Sequence, residues 1–323
     1  MLPDLAQLEA AAEIVHSVMP PTPQYCWPLL CQLTGTETWV KHENQTPTGA
    51  FKVRGGLTYM RELKRQQPDV AGVVAASTGN HGQSVAFAAR RTGLAAFIVV
   101  PHGNSTEKNA AMRALGAELI EHGHDFQAAH EHSTGLAAER GLHPLRSFHP
   151  WLFLGVASYA LELFHAVLEI DTVYVPIGLG SGICGTIAAR DALGLKTRVV
   201  GVVAENAPAY ALSFARKAPV STTSTNTIAD GIACRVPDND ALGFIFRGAD
   251  RLVTVSEDEI KTAMRHYFSD THNVAEGAGA GPLAALLKER GGMAGKRVAL
   301  ILSGGNIDRP LYASVLAAGA PHT

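Results

Sequence analysis

Short runs of β-branched residues alternate along this chain with longer alanine-rich or amphipathic stretches. The runs at 71–76, 95–100, 117–121, 172–177, 198–203 and 297–302 predict strands, most of them apolar on both faces beyond the first residue. Helices are predicted over 5–16, 50–66, 80–92, 106–115, 125–140, 151–168, 182–194, 256–269 and 278–290. Strands without a polar face need cover on both sides. The pattern therefore predicts an α/β fold of open, twisted, mainly parallel sheets flanked by helices. Ligands of such sheets gather at the carboxyl ends of strands. No repeat, low-complexity segment or evident linker divides the chain, so composition places no domain boundary.

Three of the predicted strands run into loops with chemistry. After Gly72-Val73-Val74-Ala75-Ala76 comes Ser77-Thr78-Gly79-Asn80-His81-Gly82-Gln83, then a small-residue helix. Backbone N–H groups at that helix start suit an anion such as a carboxylate. Gly178-Leu179-Gly180-Ser181-Gly182 follows Thr172–Ile177, and glycines there let the backbone wrap closely around a phosphate. Ser303-Gly304-Gly305-Asn306 follows the strand at 297–302. A fourth segment, Ala50-Phe51-Lys52-Val53-Arg54, sets a lysine in a largely apolar helix start. Burying an ammonium is costly unless the amine is neutral or consumed in a Schiff base. Together the four segments outline one bound molecule with a phosphate, a carboxylate and a reactive carbonyl. Gly180-Ser181-Gly182-Ile183-Cys184-Gly185 also satisfies the dinucleotide pattern, with Glu205 at about the ribose-binding spacing. A nicotinamide-dependent dehydrogenase is the alternative, but it explains none of Lys52, Asn80 or Ser303.

Composition narrows the picture. With 323 residues, 46% hydrophobic and 17% charged, the chain reads as a compact globular enzyme. A net charge of -2 gives no reason to expect nucleic acid or an acidic membrane as partner. No apolar run reaches transmembrane length, and Met1-Leu2-Pro3-Asp4 lacks the start of a signal peptide, so a cytoplasmic location is expected. Cys26, Cys31, Cys184 and Cys234 have no Cys-x-x-Cys spacing and suggest neither zinc nor a disulfide framework. His122, His124, His130 and His132 are read as a solvated helix and strand end, with no metal. Glu257-Asp258-Glu259 fits a helix start.

Taken in order, Thr48–Gly55, Ser77–Gln83, the loop at 178–182, Thr227-Ile228-Ala229-Asp230-Gly231, Ala275–Ala280 and Ser303–Asn306 give the chain its identity. It resembles the fold-type II pyridoxal-phosphate enzymes, in the threonine/serine dehydratase and serine racemase branch. The resemblance implies a large domain of 1–71 and 150–323, a small domain of 72–149, and pyridoxal 5′-phosphate in the cleft between them. It further implies that Lys52 carries the cofactor as a Schiff base, with Phe51 beside the ring and Asn80 on its 3′ oxygen. Gly178, Leu179, Gly180, Ser181 and Gly182 would hold the phosphate, and Ser303 would face the pyridine nitrogen. Ser77, Thr78, Asn80 and His81 would grip the amino-acid substrate, with Lys52, Ser77 and Thr78 as the catalytic set. The implied reaction removes the α-proton through Lys52 and expels the β-hydroxyl as water, leaving a 2-oxo acid and ammonia. A homodimer or other homo-oligomer is implied as well.

Departures from that pattern sharpen the expectations. Where dehydratases commonly read Gly-Gln-Gly-Thr, this chain reads Gly155-Val156-Ala157-Ser158, after the aromatic stretch Phe148-His149-Pro150-Trp151-Leu152-Phe153. One reading is a pocket for a larger β-substituent, as in 3-phenylserine; the other is plain helix-core packing. Val203 stands where a cation-binding glutamate is common, so no divalent metal is expected, although Glu205 is near. Thr78 stands at the racemase's second-base serine, so elimination is expected to dominate racemisation. A serine racemase-like activity and a non-catalytic pyridoxal-phosphate binder are the remaining alternatives.

Overall fold

The computed structural model describes residues 3–319. Its first half runs α1 (Leu5–His16), β1 (Gln24–Cys26), α2 (Pro28–Thr34), β2 (Glu37–His42), α3 (Lys52–Gln66), β3 (Gly72–Ala76), α4 (Asn80–Arg91), β4 (Ala95–Val100), α5 (Thr106–Ala114), β5 (Glu118–Glu121), α6 (Phe126–Arg140) and β6 (His143–Pro144). The second half adds α7 (Pro150–Ala166), β7 (Thr172–Pro176), α8 (Ser181–Ala192), β8 (Arg198–Ala204), α9 (Ala209–Arg216), α10 (Asn239–Gly248), β9 (Arg251–Val255), α11 (Glu257–Thr271), α12 (Gly277–Met293), β10 (Arg297–Leu302) and α13 (Arg309–Ala317). Short 3-10 turns sit at Glu43–Gln45 and Asp230–Ile232. No helix among the described residues is long and apolar enough to cross a membrane.

Two sheets result. The larger has the order β1-β2-β10-β7-β8-β9 and is parallel apart from the edge strand β1. The smaller, β5-β4-β3-β6, is parallel throughout. Alternation along the central strands feeds two apolar layers. Val173, Val199, Val203 and Ala299 pack with α7, α8 and α10 on one face. Tyr174, Val200, Val202 and Leu300 pack with α11 and α12 on the other. The acidic run at 257–259 opens α11, where Ser256 and Glu259 form a reciprocal capping box.

All four strands of the smaller sheet fall within 72–149, yet its apolar layer also takes in Val53, Leu57 and Met60 of α3 and Leu152 of α7. We propose the division into 1–71 with 150–323 and 72–149, with α3 as the element both bodies share. Eight elements were not foreseen: β1, α2, β2, β6, α9, α10, β9 and α13. Among them β2 is decisive, because its polar-looking Lys41 and His42 are fully buried. Cys26 and Cys31, five residues apart, also lie close, with sulfurs 3.5 Å from each other.

Lys41 belongs to a buried ion cluster. Arg54, in the first turn of α3 and wholly inaccessible, donates from Nε and Nη2 to Glu43 at 2.7 and 3.0 Å. Its Nη1 and Nη2 reach Glu162 of α7 at 2.6 and 2.9 Å, and Nη1 also donates to the Ser158 hydroxyl at 2.8 Å. Lys41 Nζ donates to the same Glu162 at 2.6 Å. Two cations thus meet two carboxylates, with every fork of the guanidinium used. Ser158, at the position where dehydratases commonly carry threonine, is part of this frame. Close approach of α3 and α7 depends on glycines. A Cβ on Gly155 would lie 2.4 Å from the Arg54 carbonyl oxygen, and one on Gly55 would lie 2.6 Å from that of Leu152.

Removing Arg54 should leave Glu43 buried without its cation and take one of the partners from Glu162. Arg54→Ala is expected to lower the free energy of urea unfolding by about 3–5 kcal/mol. Burial alone would raise the Glu162 carboxyl, but Arg54 and Lys41 outweigh it and hold it down at about 2. Its contribution is therefore complete above the ordinary carboxylate pKa of about 4.3 and fades as pH falls towards 2. Acid titration of wild type and Glu162→Gln should show a stability gap at neutral pH that closes across that window.

Candidate active site

The segment before α3 is laced to the strand end of β10. Ala50 forms an isolated bridge with Gly304, the Phe51 N–H donates to the Ser303 carbonyl at 3.0 Å, and Gly305 N–H donates to Gly49 at 2.9 Å. This is why the helix starts at Lys52 and not at residue 50. The lacing sets Lys52 and the buried Ser303 on neighbouring strands of backbone. The Lys52 amine lies 5.0 Å over the Phe51 ring and donates to Ser181 Oγ at 3.2 Å. Desolvation lowers its pKa to about 8, against the pull of Glu276.

Ser181 opens α8 and follows the turn of the glycine loop. Gly180 has φ +100°, a conformation closed to most side chains, and a Cβ on Gly178 would lie 2.3 Å from the Gly231 carbonyl oxygen. Gly182 backs onto Phe51, whose Cζ lies 3.7 Å from where a Cβ would stand. Among the described residues, the N–H groups of Leu179, Gly180 and Ser181 find no acceptor. They form an anion nest at a helix start.

A second nest lies at the start of α4. Ser77 Oγ accepts from the N–H groups of Gly79 and Gly82, at 3.2 and 2.8 Å, and so shapes the loop with its own oxygen. The N–H groups of Thr78, Asn80 and His81 have no acceptor among the described residues. His81 is buried, and its Nε2 has no partner among the described residues. Burial, with the Lys52 charge adding to it, pushes its pKa down to about 3, so the imidazole is neutral. Asn80 Nδ2 donates to both oxygens of Glu276, at 2.8 and 3.1 Å, while its Oδ1 accepts from Asn306 at 2.8 Å.

Glu276 is the participant that sequence reading missed, for it stood only inside a quoted segment with no role. Burial and the neighbouring Asp230 raise its pKa to about 7, with Lys108 opposing them. Lys108 of α5 pairs with Asp230 at 2.5 Å, joining the small-sheet side to the 3-10 turn at Asp230–Ile232. These groups and Thr78 line a cleft of about 410 Å³ with an apolar side formed by Pro101, Ile228, Ile307 and Leu311. A larger groove of about 540 Å³ lies at the amino ends of β7 and β8 and carries none of these residues.

The aromatic stretch does not reach the cleft. Phe148, Phe153 and Val156 are buried in the layer beneath α8, with Phe153 packed on Phe244 at 5.1 Å. Trp151 packs on Tyr59 at 5.2 Å. His122, His124, His130 and His132 do not line the cleft either: His122 is exposed, its ring stacked on that of His132.

Residues 17–304 match the family described as pyridoxal-phosphate dependent enzyme. Over 283 residues the chain is 35% identical to an L-threonine ammonia-lyase of Thermotoga maritima, covering 87% of this chain and 70% of that protein. A catabolic L-threonine dehydratase, TdcB, of Staphylococcus aureus (strain N315) is 32% identical over 293 residues, covering 89% and 84%. Among solved structures, the processed form of threonine deaminase isoform 2 from Solanum lycopersicum superposes with a TM-score of 0.90 at 27% identity, covering 98% of this chain and 95% of that one. Maize serine racemase superposes with a TM-score of 0.91 at 27% identity, covering 98% of both. The matched span takes in Lys52, both nests, Glu276 and Ser303, and the chain belongs to the pyridoxal-phosphate dependent enzyme family.

Proposed function

We propose that this protein is a dehydratase (ammonia-lyase) that converts a β-hydroxy-α-amino acid of the L-serine or L-threonine type to a 2-oxo acid and ammonia. The observation that carries the reading is the desolvated Lys52 amine, set beside Ser181 at the edge of a nest of free N–H groups. Pyridoxal phosphate fits this donor set. Gly178, Leu179, Gly180, Ser181 and Gly182 would hold its phosphate, Lys52 its aldehyde carbon, Phe51 the ring edge, and Ser303 the ring nitrogen. Bound there, the group supplies an electron-withdrawing ring that acidifies the substrate α-carbon.

The chain's own residues supply the rest. Lys52, with a pKa near 8, is available as a neutral base for the α-proton at mildly alkaline pH. The nest of Thr78, Asn80 and His81, braced by Ser77, would take the substrate carboxylate. Neutral His81 adds a hydrogen-bonding atom there without adding charge. Loss of the β-hydroxyl as water leaves a 2-amino-2-enoic acid, whose imine tautomer takes up water to give the 2-oxo acid and ammonia. Relatives named for threonine dehydration support this direction over racemisation, as does Thr78. A larger substrate such as 3-phenylserine is the second reading. It rests on the apolar cleft wall of Pro101, Ile228, Ile307 and Leu311, and no longer on Phe148, Trp151 or Phe153.

Borohydride treatment of the purified protein should fix a pyridoxal-phosphate mass on the peptide holding Lys52, read by mass spectrometry. Labelling of another lysine overturns the assignment, and a tightly held nicotinamide without such labelling favours the dehydrogenase. Lys52→Ala should lose the label and about a hundred- to ten-thousand-fold or more in turnover. Uptake of pyridoxal phosphate by cofactor-free protein should speed up as pH rises through about 8 and then level off, because only the unprotonated amine reacts.

With L-serine, chiral chromatography should show pyruvate well ahead of D-serine, and Thr78→Ser should narrow the gap. Early D-serine from the unaltered protein argues for the racemase. Specificity constants for serine, threonine and 3-phenylserine decide the size of the β-substituent. If the cleft wall receives a phenyl group, Leu311→Ala lowers the 3-phenylserine constant several-fold more than the serine constant. Val156→Gln should leave the ratio unchanged, since Val156 is core.

A further inference from the structure

Two tyrosines from different helices end on the glycine loop. Tyr159 of α7 is fully buried, and its hydroxyl donates to the Gly182 carbonyl at 2.9 Å, with Thr186 Oγ1 also at 2.9 Å. Tyr210 of α9, likewise buried, donates to the Leu179 carbonyl at 3.0 Å and accepts from the Asp238 N–H at 3.0 Å. Each ring thus crosses an apolar layer to deliver one hydroxyl to one end of the loop. Burial raises both phenols well above their ordinary range, so both remain donors.

Peptide geometry gives these contacts a purpose. Across a trans peptide the carbonyl and the following N–H point opposite ways. Holding the Leu179 carbonyl on Tyr210 turns the Gly180 N–H away from that ring, and holding the Gly182 carbonyl on Tyr159 does the same for Ile183. Gly180 N–H is among the groups without an acceptor. A loop with three glycines in five residues has many conformations, and donors that point one way before the ligand arrives bind it with less ordering cost. Tyr159 also stands edge-on to Phe51, with centroids 6.1 Å apart, so the same ring steadies the neighbour of Lys52.

We infer that Tyr159 and Tyr210 are positioning residues for the cofactor phosphate, fixing the donor geometry of the 178–182 loop without touching the phosphate. The inference rests on the pyridoxal-phosphate reading given above. It predicts that Tyr159→Phe and Tyr210→Phe, which keep the rings and remove only the hydroxyls, release pyridoxal phosphate more readily. The equilibrium constant for release from the holoprotein, measured by dialysis and absorbance, should rise about tenfold for each. The phosphorus-31 resonance of the bound phosphate should shift or broaden. Tyr267→Phe is the control, because that tyrosine is as deeply buried and its hydroxyl has no partner among the described residues; its release constant should not change. Release constants and phosphorus spectra equal to wild type in both loop variants overturn the inference. So does an equal rise in the Tyr267→Phe control, which would mark a general loosening of the core. Failure of the unaltered chain to take up any pyridoxal phosphate removes the reading beneath it, and is seen before any variant is compared.

Discussion

A guanidinium with no access to water dictates the middle of this protein. Arg54 is tolerable only because Glu43 and Glu162 surround it, and Glu162 in turn is tolerable only with Lys41 beside it. Those four residues come from β2, the 3-10 turn that follows it, α3 and α7. A partial set would leave a bare charge in a medium where isolated ions are very costly. The elements must therefore arrive together, and their arrival fixes α3 two residues after Lys52. The Lys52 amine sits at the start of a helix whose first turn cannot drift.

From that anchor the site follows by short links. Phe51 is bonded to Ser303, Lys52 reaches Ser181, and Asn80 joins Glu276 to Asn306. Each link spans two segments far apart in sequence. The nests contribute nothing covalent; their value is N–H groups left free by chain geometry. The protein places little charge of its own there. His81 is neutral, burial and Asp230 push Glu276 up to about 7, and the cations beside it are a weakened Lys52 and a paired Lys108.

Legibility followed the same physics. Strands buried on both faces and glycine-dependent loops announce themselves locally, so β3, β7 and β10 and the loops after them were readable. β2 was not, because Glu-Thr-Trp-Val-Lys-His has no apolar run. Burial of Lys41 makes sense only with Glu162, 121 residues away. Glu276 was hidden for the same reason: its weight comes from Asn80, Asp230 and Lys108, none of them its neighbours in sequence. The aromatic stretch at 148–153 left two readings open from sequence, a pocket wall and core packing, and Phe148 and Phe153 lie in the core.

The glycine crossing of α3 and α7 carries a consequence for chain length. Gly155 meets the Arg54 backbone, and the next turns of α7 deliver Ser158 and Glu162 to the guanidinium and Tyr159 to the glycine loop. One residue added or lost before Ser158 would rotate all of these by about 100° about the helix axis. An insertion there would strip the ion cluster and the loop support in one event. The helix is a ruler as much as a packing element, and insertions are tolerable only outside the stretch it measures.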